Sequence, residues 1–189
     1  MINWGNFKGF FSTGIPSDVL NTSLGVSALV IVAMVLVGVW HSCSLKVIWR
    51  RVLWVLLAEY LFVVACSTVF FRGVQSFTYA RLELMPFWTY KAVVAHIPGV
   101  SVWDIVLNVV LFLPLGFLLK LIYHTLPLSK TLLIAVVGSL CIETCQYVFE
   151  KGIAQIDDVM HNTIGAGLGW GIAKALLLLT KSDVTRNVL

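Results

Sequence analysis

Charge is scarce in this chain. Of its 189 residues, 13 are Lys or Arg and 9 are Asp or Glu, while 59% are hydrophobic. A soluble domain carries about twice that share of charge, so that class is excluded. The few cations are scattered and build no basic stripe, which excludes a nucleic-acid partner; a net charge of +4 fits topology signals and anionic lipid instead. No CxxC or CxxxH spacing occurs, so zinc is not expected, and no nucleophile motif is found. Four cysteines make no disulfide framework. Cys43 and Cys66 border or enter apolar runs, Cys141 and Cys145 stand one helical turn apart, and free thiols are predicted. Five prolines punctuate the chain, and Pro114 is the one inside an apolar run, where it predicts a kink.

Long apolar runs are what the chain has in excess. Its mean hydropathy is +0.95, and five runs are long enough for a hydrocarbon core of about 30 Å. They are Leu24–Trp40, Val52–Phe71, Val102–Tyr123, Thr131–Phe149 and Val159–Leu179. The fold class expected is an all-α integral membrane protein, one membrane domain over residues 1–189. The aromatic, Gly-rich stretch before Leu24 reads as an interfacial lead-in, and the first run as a retained helix. A long loop, about Arg72–Ser101, separates the second and third helices. It holds Arg72, Arg81 and Lys91 among aromatic residues and reads as interfacial or re-entrant.

The cations divide unequally between the two sides. Lys46, Arg50, Arg51, Lys120, Lys130, Lys174, Lys181 and Arg186 fall on one, against Lys8, Arg72, Arg81, Lys91 and Lys151 on the other. The positive-inside rule then puts the amino terminus outside and the carboxyl terminus inside. Glu83, Asp104, Glu150, Asp157 and Asp158 fall on the outer side.

Polar residues within the apolar runs are costly, about 2.5–3.5 kcal/mol for a charged group on insertion scales. Asn108, Glu143, Gln146 and Asn162 are such residues, with Asp157, Asp158 and His161 beside them. At about 1.5 Å per residue, Asn108 and Glu143 lie ~9 Å below the outer boundary and Asn162 ~5 Å. Glu143, Gln146 and Glu150 share a helix face by i, i+3, i+7 spacing. An outward-opening pocket is predicted, with Asn108, Gln146, His161, Asn162, Arg72, Arg81 and Lys91 as ligand-binding candidates. The blander reading makes the aspartates helix caps and the asparagines interhelical hydrogen bonds. Glu59, near the inner third of the second helix, stays outside the site. Asp104–Asn108 (DIVLN) and Asp158–Asn162 (DVMHN) form a weak same-direction repeat, and Gly165–Gly169 gives GxxxG spacing for close helix packing.

The ordered set LMPF (Leu84–Phe87), NVVLFLPLGF (Asn108–Phe117), SLCIETCQ (Ser139–Gln146) and DDVMHNTIGAGLG (Asp157–Gly169) resembles the VanZ-like family of membrane proteins, over roughly residues 84–170. By that resemblance the family's polar signature falls on Asn108, Glu143, Gln146, Asp157, Asp158 and Asn162. Glu83 departs from the pattern, as does Lys151-Gly152, where the family usually has Arg. The resemblance implies a bacterial cytoplasmic-membrane protein linked to reduced susceptibility to teicoplanin-like glycopeptides, and it implies no reaction.

Three functions stay open. A binding protein would engage a membrane lipid or lipid-linked envelope precursor. An intramembrane enzyme acting on a lipid-linked phosphate or amide would use Glu143 as base, with Asp157 and Asp158 catalytic and on a divalent cation. A structural partner would form homo- or hetero-oligomers through the Gly165–Gly169 face. No cofactor is expected, the divalent cation being the less favoured alternative.

Overall fold

The computed structural model of the protein describes residues 16–41, 44–72, 82–98 and 100–186, with side chains to residue 180. Residues 1–15 of the predicted amino-terminal lead-in, Cys43 and Arg81 lie outside these residues, whereas the end of that stretch, from Ser17, is the first part of a helix rather than a lead-in. Five helices are long and apolar enough to cross a membrane, as the hydropathy predicts. They are α1 (Ser17–Trp40), α2 (Leu45–Ala65, continued to Phe70), α4 (Val102–Ile122), α5 (Leu128–Val148) and α6 (Ile156–Arg186). A seven-residue helix, α3 (Trp88–Val94), sits in the long loop and is too short to cross. Strands β1 (Leu82–Glu83) and β2 (Ala154–Gln155) pair in parallel, tying that loop to the α5–α6 turn.

The helices start and stop where local chemistry dictates. Asp104 Oδ2 accepts from the Ser101 backbone N–H at 2.7 Å, so Asp104 is a capping residue of α4. Pro127 precedes α5, where a missing N–H costs nothing. Helix α6 begins at Ile156, earlier than the hydropathy suggests, because Asp157 and Asp158 favour a first helical turn. That start takes both aspartates into the helix and lowers Asn162 to the level of Asn108. Each stands six residues into its helix, about 9 Å deep, with Glu143 about 7.5 Å from the end of α5.

The centre of the bundle is the parallel pair α4 and α6, packed backbone to backbone. A Cβ at Gly165 would stand 2.1 Å from the Val109 carbonyl oxygen, one at Gly169 1.9 Å from that of Leu113, and one at Gly116 1.8 Å from that of Ala166. Between lipid-embedded helices such small residues permit the van der Waals contact that drives association. The close packing expected of the Gly165–Gly169 face is thus made with α4 of the same chain. Helices α2 and α5 flank this pair. Between α2, α4 and α5 lies a lateral apolar groove of about 430 Å³, lined by Leu57, Val64, Phe112, Leu115, Gly138 and Cys141 among others.

At the end where α4 finishes, buried Lys120 donates to the His124 and Leu126 carbonyls and stands 5.0 Å from the Trp170 ring centroid. Trp170 Nε1 donates to the same Leu126 oxygen at 3.0 Å. Helix α1 is peripheral, Gly38 being its buried residue. Glu59 of α2 faces it and accepts from Ser23 Oγ at 2.9 Å and Ser27 Oγ at 2.7 Å. Glu59 lies near the middle of α2, not its inner third, because α2 begins at Leu45, seven residues before the run predicted for it.

Gly165→Ala is expected to lower the thermal stability of detergent-solubilised protein by about 1–3 kcal/mol, the usual cost of overpacking. Gly171→Ala on the same helix meets nothing within 4 Å, and should leave the melt unchanged or raise it slightly. Equal melts for the two variants would contradict the close α4–α6 contact.

Candidate functional site

The polar residues gather at the end of the bundle where α4 and α6 begin. They divide between two tasks. Asp157, 2% exposed, points at the long loop: Oδ1 accepts from Phe87 N at 2.7 Å and Oδ2 from Thr89 N at 2.8 Å. It satisfies free N–H groups at the start of α3 and holds Phe87 at a left-handed φ of 62°. Gln155 Oε1 adds a bond from Thr89 Oγ1 at 3.2 Å. His161 belongs with this clasp, its Nε2 hydrogen-bonded to Tyr90 Oη at 2.9 Å. Lys91 does not join it; its side chain is exposed, with Nζ 3.8 Å from Met85 Sδ.

The second group faces the helix interior. Glu143, buried on α5, accepts from the Gln155 backbone N–H at 2.9 Å. Asp158 turns away from Asp157 and towards Asn108, whose side chain hydrogen-bonds it. Arg72 interacts electrostatically with both Glu143 and Asp158. Asp157 and Asp158 thus serve different structures because neighbouring helical residues point about 100° apart.

Arg72 is placed by an irregularity in α2. Residues Cys66–Phe70 form a π turn, closed by Phe71 N donating to Cys66 O at 2.9 Å. The widened turn leaves the Thr68 carbonyl to Gln146 Nε2, which donates to it at 3.2 Å. Arg72 follows at once. A Cβ on Gly152 would stand 3.3 Å from Arg72 Cζ and 3.3 Å from Gln146 Oε1. Gly152 therefore leaves room for a guanidinium, and the cation beside Gln146 comes from the end of α2 rather than from the turn after α5. Glu150, predicted to share the Glu143 face, lies beyond the end of α5 with a φ of 56°.

Asn162 Nδ2 donates to Ser139 Oγ at 2.8 Å, both residues being buried. Two atoms here, His161 Nδ1 and Asn162 Oδ1, are buried without a hydrogen-bond partner among the described residues. Ser139, Thr68, Tyr90, Thr89 and Gly152 were not among the site candidates. Ser139 had a signal: Thr131, Ala135, Ser139, Glu143 and Gln146 recur at helical spacing and form the buried face of α5. For Thr68 and Gly152 the sequence carries none, since a π turn and a guanidinium slot have no residue pattern.

Removing the Asp157 carboxylate should strand two backbone donors, at about 1–3 kcal/mol for each buried group left unsatisfied. Asp157→Ala is expected to speed hydrogen exchange across residues 87–97, whereas Asp158→Asn should leave that segment protected. Unchanged exchange in Asp157→Ala would remove the clasp role.

Protein VanZ of Enterococcus faecium is 36% identical over 62 residues, covering 33% of this chain and 38% of that protein. The chain thus aligns with well under half the length of that relative. No solved structure matches the chain. The VanZ/LLP1 family model matches residues 52–179, from the first third of α2 through most of α6. With five helices able to cross a bilayer, this is a multi-pass membrane protein, and it belongs to the VanZ/LLP1 family.

Proposed function

We propose that the protein binds a membrane lipid or lipid-linked envelope precursor at the α4–α5–α6 polar cluster and thereby reduces susceptibility to teicoplanin-like glycopeptides. The observation that carries this reading is Arg72 set against Glu143 and Asp158, with Asn108 and Gln146 beside them, at one end of a bundle of apolar helices. Intramembrane ionisable groups that face a bundle interior are costly, and they commonly mark a ligand or ion path. A purely structural knot would need less charge: the glycine contacts already join α4 to α6.

The enzyme alternative is less well supported. Its divalent cation was to sit on Asp157 and Asp158, yet both Asp157 oxygens accept backbone N–H groups. Arg72 meanwhile supplies positive charge to the remaining carboxylates. The proposed setting is the bacterial cytoplasmic membrane, with the cluster on the outer side. Lys46, Arg50, Arg51, Lys120, Lys130 and Lys174, on the helix ends away from the cluster, support that orientation.

Glu143→Gln keeps the shape and the acceptor for Gln155 N while removing the charge. In bacteria expressing the chain it should abolish protection against teicoplanin-like compounds with unchanged or higher folded yield. Arg72→Gln should do the same, and Gly152→Val, which fills the guanidinium slot, should weaken protection. Full protection in Glu143→Gln would end the carboxylate reading. Orientation has its own test: in a cysteine-free background, a single cysteine at position 101 should react with an impermeant maleimide from outside and one at position 127 only from inside.

A further inference from the structure

We propose that the polar cluster is reached sideways from the bilayer by an amphiphile whose hydrocarbon chain lies between α5 and the start of α6, and whose ammonium head meets Glu143. This rests on the binding reading above and adds to it a route and a head-group chemistry. A pocket of about 250 Å³ lies on the flank of the bundle, against Leu82, Leu84, Leu140, Tyr147 and Val159, and Glu143 is among its lining residues. Glu143 is 93% buried by its 7% exposure, and it is the one acidic residue of the lining. The Thr144 hydroxyl and the Gln155 side-chain oxygen in the same wall are already engaged. Thr144 Oγ1 donates to the Leu140 carbonyl at 2.7 Å, and Gln155 Oε1 accepts from Thr89.

The pocket's outer lip points to hydrocarbon rather than water. Leu82 and Leu84 are 48% and 65% exposed although they belong to a loop, and Leu140 beside them is 45% exposed. Loop residues facing water are ordinarily polar, and a contiguous apolar lip marks a surface made for an apolar partner. A chain seated there would run along the bilayer-facing side of α5, with its polar end at the depth of Glu143.

Charge selects the head group. Glu143 and Asp158 act on each other, and Asp104 and Asp157 both act on Asp158, with Arg72 as the cation acting on this group. Within the cluster two acidic side chains, Glu143 and Asp158, share one guanidinium in a low-dielectric setting, which leaves place for a second cation. A bare phosphate would be repelled; a primary ammonium with three hydrogen-bond donors complements it.

The test uses the full chain in nanodiscs carrying a trace of phosphatidylethanolamine or phosphatidylglycerol with a photoactivatable diazirine in one acyl chain. Cross-linked residues are read by peptide mass spectrometry. The ethanolamine probe is expected to label residues 140–147 and 156–160 several-fold more than the glycerol probe. Glu143→Gln should erase that preference, and Leu140→Trp, which fills the lip from an exposed position, should reduce labelling by both probes. Where Leu140→Trp fails to fold, competition by unlabelled phosphatidylethanolamine on the parent protein gives the same reading. Equal labelling by both probes, a preference for the glycerol head, or a preference that survives Glu143→Gln would overturn the ammonium assignment. Labelling at the pocket no stronger than along the lipid-exposed face of α1 would overturn the route. Either failure alongside lost protection in Glu143→Gln would leave the binding reading standing, whereas retained protection would remove that reading first.

Discussion

Everything at the polar end of the bundle depends on how closely α4 and α6 approach. Three glycines bring main chain against main chain, Gly165 on Val109, Gly169 on Leu113 and Gly116 on Ala166. Parallel helices in that contact are locked in register as well as distance, since sliding either one would drive a Cα into a carbonyl. That approach lets the Asn108 side chain reach Asp158, one asparagine of the weak repeat meeting the aspartate of the other half. Lipid supplies no hydrophobic drive between helices, so close packing has to supply the association, and the polar groups inherit their geometry from it.

From that axis the surrounding parts take their places. The polar, small-residue face of α5 turns inward, bringing Glu143 and Ser139 against α6 and its entry and Gln146 against the end of α2. The first turn of α6 presents two carboxylates in two directions, one anchoring the loop and one entering the cluster. The π turn of α2 ends that helix beside Gln146 and delivers Arg72. Each contribution comes from a different element, which is why no short segment of the chain contains the site.

Much of this was legible in the sequence. Five apolar runs fixed the number of spans, and helical rise alone brought Asn108 and Glu143 to neighbouring depths. The glycine spacing signalled close packing, although not that the partner was a helix of the same chain. Other features were hidden for physical reasons. Residues 157 and 158 are adjacent in sequence but point apart in a helix, so a pair that reads as one acidic motif does two jobs. Phe87 holds a left-handed backbone because Asp157, 70 residues away, captures its N–H, and no local pattern encodes that. Arg72 was legible as a cation but not as the occupant of the Gly152 slot, since that depends on a π turn. Ser139 was within reach of a fuller helical reading of α5.

The contact between Glu59 and the two serines of α1 bears on how the chain is assembled. Ser23 and Ser27 precede Glu59 by 36 and 32 residues, so α1 emerges from the ribosome well before its acidic partner. Apart from Ser27, α1 is apolar from Leu24 onwards, and the Ser23 hydroxyl also donates to the Leu20 carbonyl of its own helix at 3.0 Å. Glu59 cannot enter lipid cheaply. When α2 leaves the translocon, the donors for its carboxylate are already waiting in the bilayer.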